Sequence, residues 1–453
     1  MNFRTSLYAH QQAAVEKLEP LPVGALFMEM GTGKSRTAIE LASRWRVGNV
    51  VWFAPVSLKE TVRQEIRKHV RWARPYAFDY KTNGRHLPRH FWTVIGIESM
   101  SSSDRQVLCA HALVSHRTLV IVDESSYIKG HRAWRTLRIT DIGRKAGRRL
   151  VLTGTPISQG VEDLFSQMRF LDPSILGYTS WYTFARNHLE YSEKYPGLIV
   201  RAHNTALLAD RIAPWTYQVM KDECLDLPPK IYKSLWYEMS YEQREAYEQA
   251  KWEILGQADE LDSYIIFRLF TALQQIVSGY WRRGRETIEL PNPRLDTALA
   301  WLQETSGRTI IWCKYLRSLH VLADALDNAA TLYGKLPEKQ RMTELARFQS
   351  GEAHYLVATT STGGHGLNLT EADQVLFYEQ SFKYAERMQA EDRCHRIGQD
   401  KKVLYADLSC SASIDERIRD SLAKKRNVVE DFRAKVERVK DDPDAMRELL
   451  ERL

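Results

Sequence analysis

Gly24-Ala25-Leu26-Phe27-Met28-Glu29-Met30-Gly31-Thr32-Gly33-Lys34-Ser35 decides the fold. A short β-rich run leads in, and the segment from Ser35 to Trp45 that leads out carries apolar residues at helical spacing. Between them, Gly31 and Gly33 permit backbone conformations closed to most residues, so that successive N–H groups, Thr32 included, can point at one anion. Lys34 is then placed to reach terminal phosphates, and the Ser35 hydroxyl to ligate Mg²⁺ at a helix N-terminus. Met28 stands where the usual G-x-x-x-x-G-K-[ST] pattern has its first glycine. The strand–loop–helix context therefore carries the reading more than the pattern does. The plain alternative is a glycine-rich turn followed by a coincidental Lys-Ser.

Outward from this stretch the same alternation repeats. Gly24–Phe27, Val50–Ala54, Thr93–Ile97, Leu119–Val122 and Leu150–Leu152 read as buried parallel strands, with helical spacing between them, as from Ser57 to His69. A second series begins after Pro291-Asn292-Pro293: Thr309–Cys313, Thr331–Tyr333, Tyr355–Ala358, Val375–Tyr378 and Val403–Leu408. Leu316 to Leu326 and Glu338 to Gln349 read as helices within it. Strand and helix in alternation predict an α/β fold with two doubly wound parallel sheets. The expected division is residues 1–160, a mainly helical insertion and linker over 161–290, a second lobe over 291–411, and a charged helical tail over 412–453. Within the insertion, Tyr264 to Trp281 shows one continuous helical apolar face.

The bulk numbers bound the classes available. A chain of 453 residues exceeds one ordinary core, and 27% charged with 44% apolar residues is usual for a globular protein. Apolar runs such as Thr118–Val122 are strand-sized, and Met1–Thr5 lacks the apolar core of a secretion signal, so no membrane partner is expected. The five cysteines are scattered and never form a C-x-x-C pair, which argues for a reducing compartment and against structural zinc. Residues 1–160 hold 25 Lys and Arg against 12 Asp and Glu, while the net charge of the whole is only +7. So basic a first lobe suits a polyanion, although a well-solvated surface would look the same.

Three further stretches carry chemistry. Leu119-Val120-Ile121-Val122-Asp123-Glu124 ends an apolar strand in two acids at the sheet edge where ligands gather. Asp123 would hold Mg²⁺ and Glu124 would polarise an attacking water, though alone the pair could be a plain strand end. Thr153-Gly154-Thr155-Pro156 follows another strand and is a candidate relay, or a simple turn. In the second lobe, Thr359-Thr360-Ser361-Thr362-Gly363-Gly364-His365-Gly366 offers hydroxyls and backbone amides suited to nucleic-acid phosphates, with Gly366 assigned to the nucleotide. Gln389-Ala390-Glu391-Asp392-Arg393-Cys394-His395-Arg396-Ile397-Gly398-Gln399 sets two arginines three residues apart; on a helix both would lean the same way. Arginine forks onto phosphate oxygens at any working pH, so Arg393 and Arg396 are candidate fingers for a γ-phosphate held by the first lobe.

Taken in order, Leu7-Tyr8-Ala9-His10-Gln11, Met28–Ser35, Ala54-Pro55-Val56-Ser57-Leu58, Asp123–Ser126, Leu152–Pro156, Ser361–Leu369 and Gln389–Gln399 resemble the SWI/SNF-type ATPases of helicase superfamily 2 over roughly residues 7–425. The resemblance implies two tandem RecA-like domains, ATP and Mg²⁺ as cofactors, and Gln11 as the adenine reader. It supports the roles given to Lys34, Ser35, Asp123, Glu124, Arg393 and Arg396, and it makes Ile414 to Asn427 a brace helix. It implies a monomeric DNA-dependent ATPase that tracks along double-stranded DNA, gripping phosphates through Ser57, Lys59, Lys129, Thr155, Thr360, Ser361 and Thr362. The chain departs from the family at Ser125-Ser126, where His or an acid-Gly-His pattern is frequent, and at Glu379-Gln380-Ser381-Phe382. Such a bare motor suggests a bacterial or viral source and a cytoplasmic location. A strand-separating helicase on DNA or RNA, and an ATP-switched interaction module, are the competing functions.

Overall fold

In the computed structural model the chain divides into two compact units, Met1–Asp226 and Leu227–Leu453. The structure describes every residue except 85–86, 88–89, 155, 158–159, 192–198, 257–261, 361–368, 425–427, 440–444, 446–448 and 450–453. The first unit contains strands β1 (Val23–Met28), β2 (Asn49–Ala54), β3 (Tyr76–Ala77), β4 (Trp92–Gly96), β5 (Thr118–Asp123), β6 (Arg148–Leu152) and β9 (Thr216–Val219), with a hairpin of β7 (Leu189–Tyr191) and β8 (Ile199–Ala202). Its main sheet is parallel throughout, in the order β3-β4-β2-β5-β6-β1-β9.

A doubly wound sheet buries both faces, and the sequence supplies apolar residues for each in turn. Val51, Phe53, Val120, Val122 and Val151 face one core, which is completed by Ile139, Ile142, Phe165 and Met168. Val50, Trp52, Leu119, Ile121, Leu150 and Leu152 face the other, with Ala38, Ile39 and Leu41 of the helix Lys34–Arg44. Each such side chain contributes about 1.5–3 kcal/mol on burial, so the central strands fix the register.

The second unit holds β10 (Lys230–Tyr237), the hairpin β11 (Tyr280–Arg283) and β12 (Glu286–Glu289), β13 (Thr309–Cys313), β14 (Ala329–Leu332), β15 (Tyr355–Thr359), β16 (Gln374–Phe377) and β17 (Val403–Cys410). Its sheet is also parallel, in the order β10-β17-β16-β13-β15-β14. The fold class expected from the sequence, two parallel-sheet α/β domains, is the one observed.

Three expectations differ from the structure. The stretch 161–290 is shared between the units rather than set apart. Leu164, Phe165 and Met168 of the helix Asp163–Leu171 complete the first core, β9 extends the first sheet, and β10 pairs with β17 along its whole length. The helical face expected over Tyr264 to Trp281 ends at Val277. Gly279 there adopts φ +89°, where an added Cβ would meet the Asn292 side chain at 2.6 Å, and Trp281 enters β11. Finally, the arginine-bearing stretch is helical only through Glu391; residues 392–398 form successive turns.

Among the described residues, no helix is long and apolar enough to cross a membrane.

Candidate nucleotide site

β1, β6 and β5 are neighbours, so the loops that follow them share one carboxyl edge of the first sheet. After β1 the chain turns through Gly31 at φ +83° and Gly33 at φ +89°. The positive φ demands glycine, and a Cβ on Gly33 would come within 2.1 Å of Gln11 Nε2 and displace that amide. Gly33 is also the N-cap of the helix Lys34–Arg44 and offers that helix no side-chain cap. Amides of the first turn are thereby left to face an anion. Ser35 stands half-buried in that turn.

The loop is braced from outside. Buried Gln11 donates from Nε2 to the Thr32 carbonyl at 3.0 Å and accepts the Tyr8 N–H at 3.1 Å. His10 Nε2 donates to the same carbonyl at 2.7 Å, and the Thr32 hydroxyl closes onto Glu29 O at 2.7 Å. Lys34 Nζ folds over the loop, donating to Met28 O at 2.9 Å and Glu29 O at 3.3 Å. The amide of Gln11, expected to read adenine, therefore holds the phosphate loop in this structure.

Asp123 closes β5 and is buried. Burial, with the neighbouring Glu124 charge adding to it, raises its carboxyl to about 7 against the pull of Lys34 and the Trp52 indole. Trp52 Nε1 donates to Asp123 Oδ2 at 3.2 Å, and the Glu124 N–H to Oδ1 at 3.0 Å. A carboxyl kept from water beside a lysine and a second acid fits a divalent cation, which would restore the charge that desolvation opposes. Glu124 itself takes φ +50°, a left-handed conformation costing a non-glycine residue about 1 kcal/mol or more.

Ser125, the departure from the family pattern, is fully buried and donates to Gln167 Oε1 at 2.5 Å. Gln167 Nε2 in turn donates to Pro156 O at 2.8 Å and Asp163 O at 2.9 Å. One side chain thus ties the Asp-Glu strand end to the turn after β6, where Gly154 packs close to Met30 of the phosphate loop. Sequence reasoning missed Gln167, Trp52 and His10. A Ser166-Gln167 pair between Leu164-Phe165 and Met168 was the one available signal for Gln167.

In the second unit, Arg393 is buried and Arg396 half-exposed on the turns after the helix Tyr384–Glu391. Their neighbours frame those turns. Glu391 receives Lys230 Nζ at 2.8 Å, Tyr232 OH at 2.9 Å and Arg387 Nε at 2.8 Å. Burial opposes its charge, but Arg387 and Lys230 outweigh burial and hold the carboxyl below its ordinary range. Arg387 also bonds Asp407 Oδ1 at 2.6 Å. Gln399 Nε2 donates to the carbonyls of Thr370, Ala372 and Cys394, and His395 Nε2 to that of Pro228.

The expected nucleic-acid contacts are spread more widely. Ser57 is exposed on a single turn, Val56–Leu58. Lys59 donates to Phe78 O at 2.6 Å, Lys129 lies 3.5 Å from Asp163, and Thr360 is buried beyond β15. Thr155, Ser361, Thr362 and Gly366 lie outside the described residues.

Two family models match this chain: the SNF2-related domain over residues 16–278 and the helicase conserved C-terminal domain over 293–398. Among curated relatives, the DNA annealing helicase and endonuclease ZRANB3 of Bos taurus is 27% identical over 88% of this chain and 38% of that protein. The uncharacterized ATP-dependent helicase MG018 of Mycoplasma genitalium is 27% identical over 66% of this chain and 29% of its own length. The chain thus spans well under half of these relatives. The solved Sulfolobus solfataricus SWI2/SNF2 ATPase core in complex with dsDNA aligns with 100% of this chain and 98% of that one, at 22% identity and a TM-score of 0.45.

Proposed function

Because this chain belongs to the SNF2-related family, we propose that it is an ATP-hydrolysing motor that translocates along double-stranded DNA, gripping the phosphate backbone without reading sequence. The observation that carries the reading is the braced phosphate loop beside buried Asp123, with Lys34 and Glu124 at the same sheet edge. Mg²⁺–ATP, when bound, supplies the phosphoanhydride whose hydrolysis drives the cycle. Lys34 would exchange its two loop carbonyls for terminal phosphate oxygens, while Ser35 and Asp123 would hold the metal. Glu124 would orient and deprotonate the attacking water. Arg393 and Arg396 are assigned to the charge that develops on the terminal phosphate, on turns pinned by Glu391 and Gln399. The basic composition of the first lobe favours a nucleic-acid backbone as the track.

Steady-state ATPase measured without nucleic acid and with single-stranded DNA, duplex DNA and RNA tests the first half of the proposal. Triplex displacement beside strand displacement tests the second. The motor reading predicts duplex stimulation and triplex displacement without unwinding. Strand separation with no duplex stimulation would transfer the assignment to a helicase.

A further inference from the structure

β2 and β5 are neighbours in the first sheet, and Trp52 pairs with Ile121. Side chains alternate across a sheet, so Leu119, Ile121 and Asp123 leave β5 on one face. That face carries the core packed by the phosphate-loop helix Lys34–Arg44. Trp52 leaves β2 on the same side, fully buried beside Leu119, Ile121 and Ala38. Asp123 stands two residues beyond Ile121, about 6–7 Å further along the strand. The indole spans that gap, and its Nε1 donates to Asp123 Oδ2 at 3.2 Å.

Packing alone does not demand this bond. Trp312, equally buried in β13 of the second unit, leaves its Nε1 without a partner among the described residues. Trp45 takes the ordinary acceptor for an indole, a backbone carbonyl, that of Glu19 at 2.9 Å. Trp52 is aimed instead at an ionisable side chain on the edge of the sheet where the phosphate loop lies. Among the described residues it is the one side chain that hydrogen-bonds Asp123; the other donor is the Glu124 N–H, on Oδ1 at 3.0 Å. One donor on each oxygen fixes the plane of the carboxylate and leaves each oxygen a lone pair for a cation. Such donors behind a ligating carboxylate set its direction before the metal arrives.

We propose that Trp52 is a positioning residue for the metal-binding carboxylate: its indole N–H holds Asp123 in the orientation that receives the divalent cation accompanying the nucleotide. This role rests on the nucleotide-site reading of Lys34, Ser35 and Asp123.

The test is calorimetric titration of ADP into the full chain, once with Mg²⁺ and once with EDTA. The ratio of the two affinities isolates the share that the metal contributes. Trp52→Phe deletes the donor and should reduce that ratio about tenfold, while ADP affinity in EDTA changes less than about twofold. Phenylalanine is also smaller, so Trp92→Phe is the control, a like truncation in the same core with its ring 6.4 Å from that of Trp52. It should lower the melting temperature and leave the ratio intact. A chain carrying ¹⁵N in its 12 tryptophans gives a reading that needs no truncation. The indole signal displaced most by Asp123→Asn should also shift when Mg²⁺ is added to the ADP-bound wild type. An unchanged ratio in folded Trp52→Phe, an equal loss in Trp92→Phe, or an indole signal that Asp123→Asn moves and Mg²⁺ does not, overturns the proposal. A wild type that binds no ADP, or binds it equally with and without Mg²⁺, removes the nucleotide-site reading itself and this role with it.

Discussion

Gln167→Met isolates the bridge between the acidic strand end and the turn after β6. Gln167 is fully buried, accepts the Ser125 hydroxyl at 2.5 Å and donates to Pro156 O at 2.8 Å. Methionine has nearly the same length, so the cavity left is small and the loss is polar. Two buried groups then lack their partner, Ser125 Oγ and Pro156 O, at about 1–3 kcal/mol each; relaxation and water bring the expected total to roughly 2–4 kcal/mol. If one bond's coupling of about 1–1.5 kcal/mol carries the signal between the two loops, duplex-stimulated turnover falls roughly tenfold. Adding Ser125→Ala removes the stranded hydroxyl, so the double variant should recover part of the stability but none of the stimulation. Steady-state ATPase with and without duplex DNA, beside thermal unfolding, reads both quantities. Wild-type stimulation in folded Gln167→Met, or its return in the double variant, would refute the bridge as a relay.

Gly33→Ala should weaken ATP binding and lower stability, by about 1 kcal/mol for the positive φ and about 1–3 kcal/mol for the clash with Gln11. Adding Gln11→Ala should recover only the second part, read by nucleotide titration and melting. Half-exposed Arg396 and buried Arg393 should separate in kind. Arg396→Ala is expected to cut kcat by about 10³ while ATP still binds, whereas Arg393→Ala should also lower the melting temperature. Equal melting temperatures for the two variants would contradict that split. Arg294→Ala leaves Asp415 buried without its cation and should destabilise the second unit by about 3–5 kcal/mol, visible as an early transition in denaturant unfolding.

What was legible in the sequence was what depends on period and on glycine. All ten strands read from apolar runs appear; nine are central strands, whose burial on both faces leaves a nearly uninterrupted apolar signature, and only β14 lies at a sheet edge. β9 and β10 escaped for the opposite reason. They lie at sheet edges, and Lys230–Tyr237 mixes two lysines and a serine among its apolar residues and is largely exposed. Their absence displaced the domain boundary: with β9 unseen, the helix Asp163–Leu171 looked like an insertion rather than part of the first core. The turn between β1 and the helix Lys34–Arg44 was legible because Gly31 and Gly33 are required by conformation, and a conformational requirement names its residue type. Gln167 was not, because a glutamine's partners depend on which loops the fold brings to it.

The same distinction governs the arginine stretch, where the expected helix was the wrong frame. An arginine's reach on a helix is set by spacing alone. On turns it is set by whatever fixes the turns, and here that is a set of side chains gathered from distant strands. Lys230 and Tyr232 come from β10, Asp407 from β17 and Arg387 from the preceding helix. Glu391 stands at their meeting point, its charge held against burial by two cations. Removing one partner of such a buried pair strands the other, so the arrangement is rigid by energetics and not merely by packing. That rigidity is what electrostatic preorganisation requires: donors already placed before charge develops need no reorganisation when it does. It also follows that β10, the strand the sequence hid, helps fix the stretch it most plainly displayed. Motif and scaffold in this chain are therefore one structure, and the residues between the motifs decide how well the motifs are aimed.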